Sequence, residues 1–501
     1  MTRLEAAALR VPTARYELVA TAASIGVFLV YLLHAVVLIR YPWDWSPDEG
    51  LFLDYARRML QAPETLYPVG TSVPFPLAWT PLLPALLTPI VAWLPQPLAG
   101  ARVLALVWTA GMAGAVYVLV RRRTTPVAAL AAAALALAPM TMTSWYMLVR
   151  MDGLMTALWL WAAVLLLPVR VERGETLGWG RALGGAGLLL AAFLAKPTAA
   201  VHAAPLVLVW LIVDRRSAVR AAAAFAALGG VTVGALQTAT SGGFLAVQKL
   251  WANHPWDAVW IVHSLLHFTR AMALPLVAAV IALALVLPGG RGTWRDGTLA
   301  LWAGGAAAIP ALAKYGAGTN YLMPLGAATV VLAGRWLGAW SAAGTSTDHV
   351  RGRAALAAAG CAVVAAVAIS CAHFPLPTAR DAAAAEAFYR ALAKRGGPLL
   401  ALRPEYAYFY LGQPVEVEGS SFVVMLRSGA SGIEVVPQRV ASRYYRTIVL
   451  PVGRWRVESI DGYVDTFYRN AAYVDLGTRF GRWRYRVLVP RDDIPAPSSS
   501  P

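Results

Sequence analysis

Residues 17–50 read ELVATAASIGVFLVYLLHAVVLIRYPWDWSPDEG, and this stretch decides what kind of chain this is. From Leu18 to Ile39 the run is apolar and long enough to cross a bilayer, which takes about 20 residues. Arg3, Arg10 and Arg15 precede it and no small-x-small cleavage pattern accompanies it, so it reads as an uncleaved anchor with a cytoplasmic N-terminus. Directly after it stand Asp48 and Glu49, adjacent carboxylates among Trp43, Trp45 and Pro47. An acidic pair where a helix leaves the lipid does nothing for insertion. It points to a site at the membrane surface, where a carboxylate takes a proton or holds a cation.

The rest of the chain repeats the membrane signal. Of its 501 residues 58% are hydrophobic and 14% charged, against roughly a quarter charged in soluble domains, so the chain reads as a polytopic α-helical membrane protein. Further apolar segments fall near 101–120, 126–143, 153–169, 182–196, 198–213, 219–238, 269–288, 297–313, 320–337 and 353–371. With the first run they predict about eleven transmembrane helices. A stretch from Leu77 to Leu94 is also apolar but is broken by Pro81, Pro84 and Pro89, which suit an in-plane or re-entrant element better than a span. Charge supports that choice. If 77–94 does not cross, Arg121–Arg123, Arg170, Arg173 and Arg181, Arg215, Arg216 and Arg220, and the later clusters all fall on the cytoplasmic side. The net charge of +17 therefore reports orientation, and no basic stripe with interleaved aromatics suggests nucleic acid. Cys361 and Cys371 fit neither a disulfide framework nor a metal site.

Beyond about His373 the composition changes. The helical pattern of Asp381–Lys394, closed by Gly396, and short strands at 398–402, 447–451 and 483–489 predict a small external α/β domain. The predicted organisation is a membrane module over 1–371, with a first external loop at 41–100 holding in-plane helices, and an external domain over 372–501. The predicted location is the bacterial cytoplasmic (inner) membrane, with the C-terminal domain outside.

Polar residues gather at the predicted outer ends of spans. The first loop holds Asp44, Asp48, Glu49 and Asp54, with an amphipathic helix predicted from Asp48 to about Gln61 that carries Arg57 and Arg58, and the turn between spans three and four holds Trp145, Tyr146, Arg150 and Asp152. Only four of the 43 basic residues are lysines, and all four fall on the predicted outer side. Lys196 and Lys314 each end an outward-going span, where an anionic phosphate is a natural partner. Plainer roles stand beside these. Ser46 or Asp48 can cap the following helix, Arg150 and Asp152 can form a local ion pair, and Lys196 and Lys314 can snorkel to the interface. Tyr321 can be an interfacial aromatic. His254, His263 and His267 have no third ligand at a fixed spacing, so no metal site is assigned; their loop, with Trp251 and Trp256, suits contact with an acceptor sugar.

In order along the chain, Trp45-Ser-Pro-Asp48-Glu49-Gly50, Arg150-Met-Asp152-Gly, Ala195-Lys196-Pro197 and Asn320-Tyr321-Leu-Met-Pro324 resemble motifs of the GT-C membrane glycosyltransferases, the superfamily of protein O-mannosyltransferases and lipid A aminoarabinose transferases. The resemblance covers about 370 residues. It implies an inverting glycosyltransferase that moves a sugar from a polyprenyl-phosphate donor to a lipid, glycan or protein acceptor. Asp48 would be the base, Glu49 its support, and Asp152 would help place the acceptor. The aminoarabinose transferases carry a Lys-Pro-Pro stretch where this chain has Val73-Pro74-Phe75-Pro76-Leu77. The donor phosphate is then left to Arg57, Arg58, Arg150, Lys196, Lys314 and Tyr321, and the acceptor to Trp45, Trp256 and His254. No cofactor is assigned, and a divalent cation stays open, since two acids near a phosphate can hold one. A flippase or transporter of lipid-linked sugars, and a glycan polymerase or ligase, are the competing readings; a transporter would place its acids near the bilayer midplane.

Overall fold

A computed structural model gives the fold for residues 13–71, 73–143, 148–167, 176–252, 255–286, 297–314, 317–342, 376–427, 429–452, 458–478 and 481–493. The predicted last span at 353–371, its two cysteines, Trp145, Tyr146 and His254 lie outside these residues.

The chain is mostly helical. Helix α1 (Thr13–Arg40) has 28 residues and, at 1.5 Å per residue, is about 42 Å long, more than a bilayer core. Past it, α2 (Pro47–Gln61) and α3 (Leu82–Trp93) are short. Helix α3 has 12 residues with Pro89 inside it, so its length of roughly 18 Å falls short of a bilayer core. Then follow α4 (Pro97–Arg121), α5 (Pro126–Thr143), α6 (Met151–Leu166), α7 (Trp179–Ala195), α8 (Ala199–Val213) and α9 (Arg215–Ala239). Next come α10 (Gly243–Ala252), α11 (Ala258–Ala271), α12 (Ala273–Val286), α13 (Thr298–Ala306) and α14 (Met323–Ala342). Among the described residues, Glu17–Arg40, Pro97–Arg121 and Arg215–Ala239 meet the length and apolarity of a span outright, and shorter apolar helices such as Met151–Leu166 and Trp179–Ala195 pack beside them. Helix α4 lies against α5 and α6, α6 against α7, and α14 against α5, α12 and α13. The seams are rich in alanine, which lets helix backbones approach where no hydrophobic effect drives association.

The C-terminal unit starts with α15 (Ala379–Arg395). Thr378 caps it, exchanging hydrogen bonds with Asp381, and Lys394 and Arg395 sit in its last turn. Gly396 ends it at φ +59°, a backbone that disfavours a side chain. After β1 (Leu399–Ala401) come α16 (Tyr406–Tyr410), α17 (Gly419–Arg427), α18 (Val435–Ala441), β2 (Thr447–Pro451), α19 (Glu458–Phe467), β3 (Tyr468–Thr478) and β4 (Gly481–Pro490). The sheet order is β1-β2-β4-β3, with β1 and β2 parallel and the remaining pairs antiparallel. Strand β2 is buried along its whole length, with Val449 opposite Val487 on one face and Ile448 opposite Leu488 on the other. The membrane bundle and this unit share one continuous apolar core.

Candidate active site

The site is assembled from the ends of four elements. Arg150, in extended backbone, is the N-cap of α6, which sets Asp152 in the first turn. A carboxylate there complements the helix dipole, yet it is fully buried and needs partners. It has three. Lys196 Nζ donates to Asp152 Oδ1 at 2.6 Å, Asn320 Nδ2 donates to the same oxygen at 2.9 Å, and Arg150 Nε donates to Oδ2 at 3.2 Å. Lys196 caps the end of α7, and Asn320 lies in a 3₁₀ turn, Thr319–Leu322, that leads into α14. Lys196 is itself buried, with its ammonium 3.6 Å from the centre of the Tyr321 ring.

Arg150 then bridges outward, its Nη1 donating to Asp48. Asp48 is in the first turn of α2 and keeps 14% of its side chain exposed, while Asp152 keeps none. Asp48–Arg150–Asp152–Lys196 is thus a chain of alternating charge running from a reachable carboxylate into the bundle. Lys314 ends a second 3₁₀ turn, Ile309–Ala313, and is half-buried; its backbone pairs with that of Trp256. Burial and the nearby charge of Lys196 push its ammonium below the usual lysine range. Among the described residues, no carboxylate pairs with Lys314. Trp256 is 59% exposed, a free ring beside that lysine.

Several residues singled out from sequence are placed differently. Glu49 is fully buried and bidentate: Arg102 donates Nε to Oε1 at 2.9 Å and Nη2 to Oε2 at 2.6 Å. Its Oε2 also accepts the amides of Trp45 and Ser46 at 2.8 and 3.2 Å, one half of a capping box that starts α2. The same guanidinium holds the carbonyls of Leu38, Tyr41 and Trp43, so it fastens the end of α1 to the acidic motif. Neither oxygen of Glu49 is exposed. Arg58 is buried and turned onto Thr65 and the Phe75 carbonyl, and Arg57 onto Asp54 and the carbonyls of Phe409 and Gln413. Each guanidinium is thus partnered within the first loop or on the C-terminal unit. Trp45 is 3% exposed and edge-on to Tyr41 at 5.6 Å, so its ring has no face for an acceptor. Tyr321 acts through its ring on Lys196. Among the described residues no group of three or more His, Cys, Asp or Glu gathers as a metal site.

Arg102 is the residue that sequence reasoning passed over. A lone arginine inside the apolar run 97–121 was the available signal, since an intramembrane charge has a partner or a function by default.

The fold is the GT-C fold of membrane glycosyltransferases, the superfamily that the short motifs resemble. By sequence, residues 79–240 match the family described as dolichyl-phosphate-mannose-protein mannosyltransferase. No curated protein matches the chain by sequence. In structure it is similar to ArnT from Cupriavidus metallidurans bound to undecaprenyl phosphate, at 13% identity and a TM-score of 0.59, covering 95% of this chain and 99% of that one. It is also similar to the oligosaccharyltransferase AglB from Archaeoglobus fulgidus in complex with an inhibitory peptide and a dolichol-phosphate, at 13% identity and a TM-score of 0.52, covering 94% of this chain and 75% of that one.

Proposed function

We propose that the protein is an inverting glycosyltransferase that takes a sugar from a polyprenyl-phosphate donor and works at the outer face of a bacterial cytoplasmic membrane. The observation that carries this reading is the Arg150 bridge, which joins an accessible carboxylate to a buried carboxylate–lysine pair. The donor phosphate sits against Lys314, Arg150 and the Lys196 region while its polyprenyl tail stays in lipid. As the phosphate takes up Arg150, Asp48 is released to accept the acceptor hydroxyl's proton. That oxygen attacks the sugar C1, the C1–O bond to phosphate breaks, and the polyprenyl phosphate leaves with the electron pair. Cations aimed at the developing phosphate charge supply the main electrostatic stabilisation, and Asp152 keeps Lys196 and Arg150 in place to do so. The sugar-facing surface is the exposed Trp256 ring. No step requires a metal or an organic cofactor. The match to polyprenyl-phosphate proteins in fold, and the family match over 79–240, support the donor class.

The test is transfer from a panel of radiolabelled polyprenyl-phosphate sugars in purified membranes, wild type beside Asp48→Asn. General base catalysis is worth about 10²–10⁴-fold, so transfer falls by that factor while donor binding persists. Transfer that survives in Asp48→Asn rejects the assignment of the base.

A further inference from the structure

Among the described residues the C-terminal unit carries no catalytic constellation of its own, yet it is fitted tightly to the helix that bears Asp48. Its contacts on α2 run from Gly50 to Arg57. At Gly50, two residues past Asp48, an added Cβ would stand 2.3 Å from the Tyr406 nitrogen and Cα and 2.8 Å from the carbonyl carbon of Glu405, so only glycine permits α16 to sit there. One turn on, the fully buried Asp54 accepts the Val415 amide at 3.0 Å, and Val415 returns its carbonyl to the Phe75 amide at 2.8 Å. Arg57 holds Asp54 at 2.5 Å and reaches across to the carbonyls of Phe409 and Gln413. Ahead of α2, the Tyr389 hydroxyl donates to Asp44 at 2.5 Å, and Trp43 stacks on the Tyr389 ring with centroids 4.8 Å apart. The void at this seam, lined by Tyr41, Asp44, Trp45, Pro404 and Tyr485 among others, is about 10 Å³, room for one water.

We infer that the C-terminal unit is a positioning element of the transferase site: by clamping α2 at Gly50, Asp54 and Arg57 it fixes the helix rotation that aims Asp48 at Arg150. Gly50, Asp54 and Arg57 are positioning residues, acting on the reaction only through Asp48. The inference rests on the function proposed above. A side-chain tip lies roughly 5–6 Å from a helix axis, so a 20° rotation of α2 displaces the Asp48 carboxylate by about 2 Å. Displacements of that order cost about 10²-fold in rate.

The experiment compares the full-length protein in lipid nanodiscs with Gly50→Ala and Arg57→Gln, reading sugar transfer, binding of the polyprenyl-phosphate donor, and amide hydrogen exchange over 47–61. Arg390→Ala, on the exposed face of α15, is the control. The expected result is a kcat lowered about 100-fold in Gly50→Ala and about 10-fold in Arg57→Gln, with donor KM and Kd within twofold, faster exchange in α2, and an unaffected control. Retained donor binding shows that the variants are folded. Should Gly50→Ala fail to fold, Arg57→Gln, which adds no atom to the seam, decides alone. Faster α2 exchange with unchanged kcat overturns the inference, and so does unchanged exchange in both variants. If the wild type transfers sugar from no donor, the functional reading fails by itself, and the exchange data still decide whether the clamp exists.

Discussion

Replacing Arg102 tests whether the acidic motif is held as described. Arg102 is 1% exposed and Glu49 is fully buried, and five hydrogen bonds of 2.6–2.9 Å radiate from that one guanidinium. Removing one member of a buried pair leaves the other charged and unpaired, which costs about 3–5 kcal/mol. Arg102→Met is expected at the upper part of that range, because three carbonyls at the end of α1 and in the loop lose their donor as well. Glu49→Met is expected to cost roughly 3 kcal/mol. Removing both charges together eliminates the unpaired ion, so the double variant should be less destabilised than the sum of the singles by about 2 kcal/mol. Equilibrium unfolding by SDS in mixed micelles, applied to all four proteins, measures that difference. Singles that add within about 0.5 kcal/mol mean the two residues act independently. The account of Glu49 as the fastening of the first loop then fails, and a catalytic part for Glu49 returns.

Two further outcomes follow from named groups. Lys314→Met removes a cation with no carboxylate partner among the described residues, and a charge-assisted hydrogen bond is worth about 1.5–3 kcal/mol. Donor Kd should therefore rise about tenfold or more with the protein's unfolding unchanged, and an unaltered Kd removes Lys314 from the phosphate site. The docking seam should also respond to pH. Burial pushes the Asp44 carboxyl up to about 7, and burial, with Glu418 adding to it, pushes Glu405 up to about 8. Each is raised above its unfolded value, so unfolding releases protons between those values, and stability falls as pH rises from about 5 to 8. Asp44→Asn and Glu405→Gln should each flatten the fall of melting temperature across that window; an undiminished slope in both refutes the assignment.

Much of this was legible in the sequence because local chemistry dictates it. Ser46-Pro47 followed by Asp48-Glu49 is a helix start whatever surrounds it, and α2 begins there. The three prolines of 77–94 made a straight span improbable, and α3 is short. Three strands of the terminal sheet were readable from apolar runs. The edge strand β3 was not, since most of residues 469–475 are exposed and give no alternation. Lys196 and Asp152 were picked out as the ends of neighbouring spans, but their 2.6 Å contact required the bundle to close. Direction was the hard part. Arg57 and Arg58 are adjacent cations near an acidic motif, and only tertiary structure shows that one turns to the C-terminal unit and the other back into its own loop. Arg102 stands inside an apolar segment, and nothing local to it shows that it fastens the acidic motif to the end of α1.

The arrangement of Asp48, Arg150, Asp152 and Lys196 also has an electrostatic consequence. Two negative and two positive groups make the cluster neutral as it stands, so it can rest at a low-dielectric boundary without a counter-ion. Lys314 adds a positive charge that no carboxylate pairs with among the described residues. A sugar-phosphate diester brings a single negative charge and closes that balance, whereas the monoester left after transfer carries about −1.5 to −2 near neutral pH. The occupied site is electroneutral with donor, and becomes overcharged with product once the proton taken by Asp48 has left. In the proposed reaction that difference favours expulsion of the spent lipid, and it gives the protein a way to prefer the loaded carrier over the empty one without touching the sugar at all.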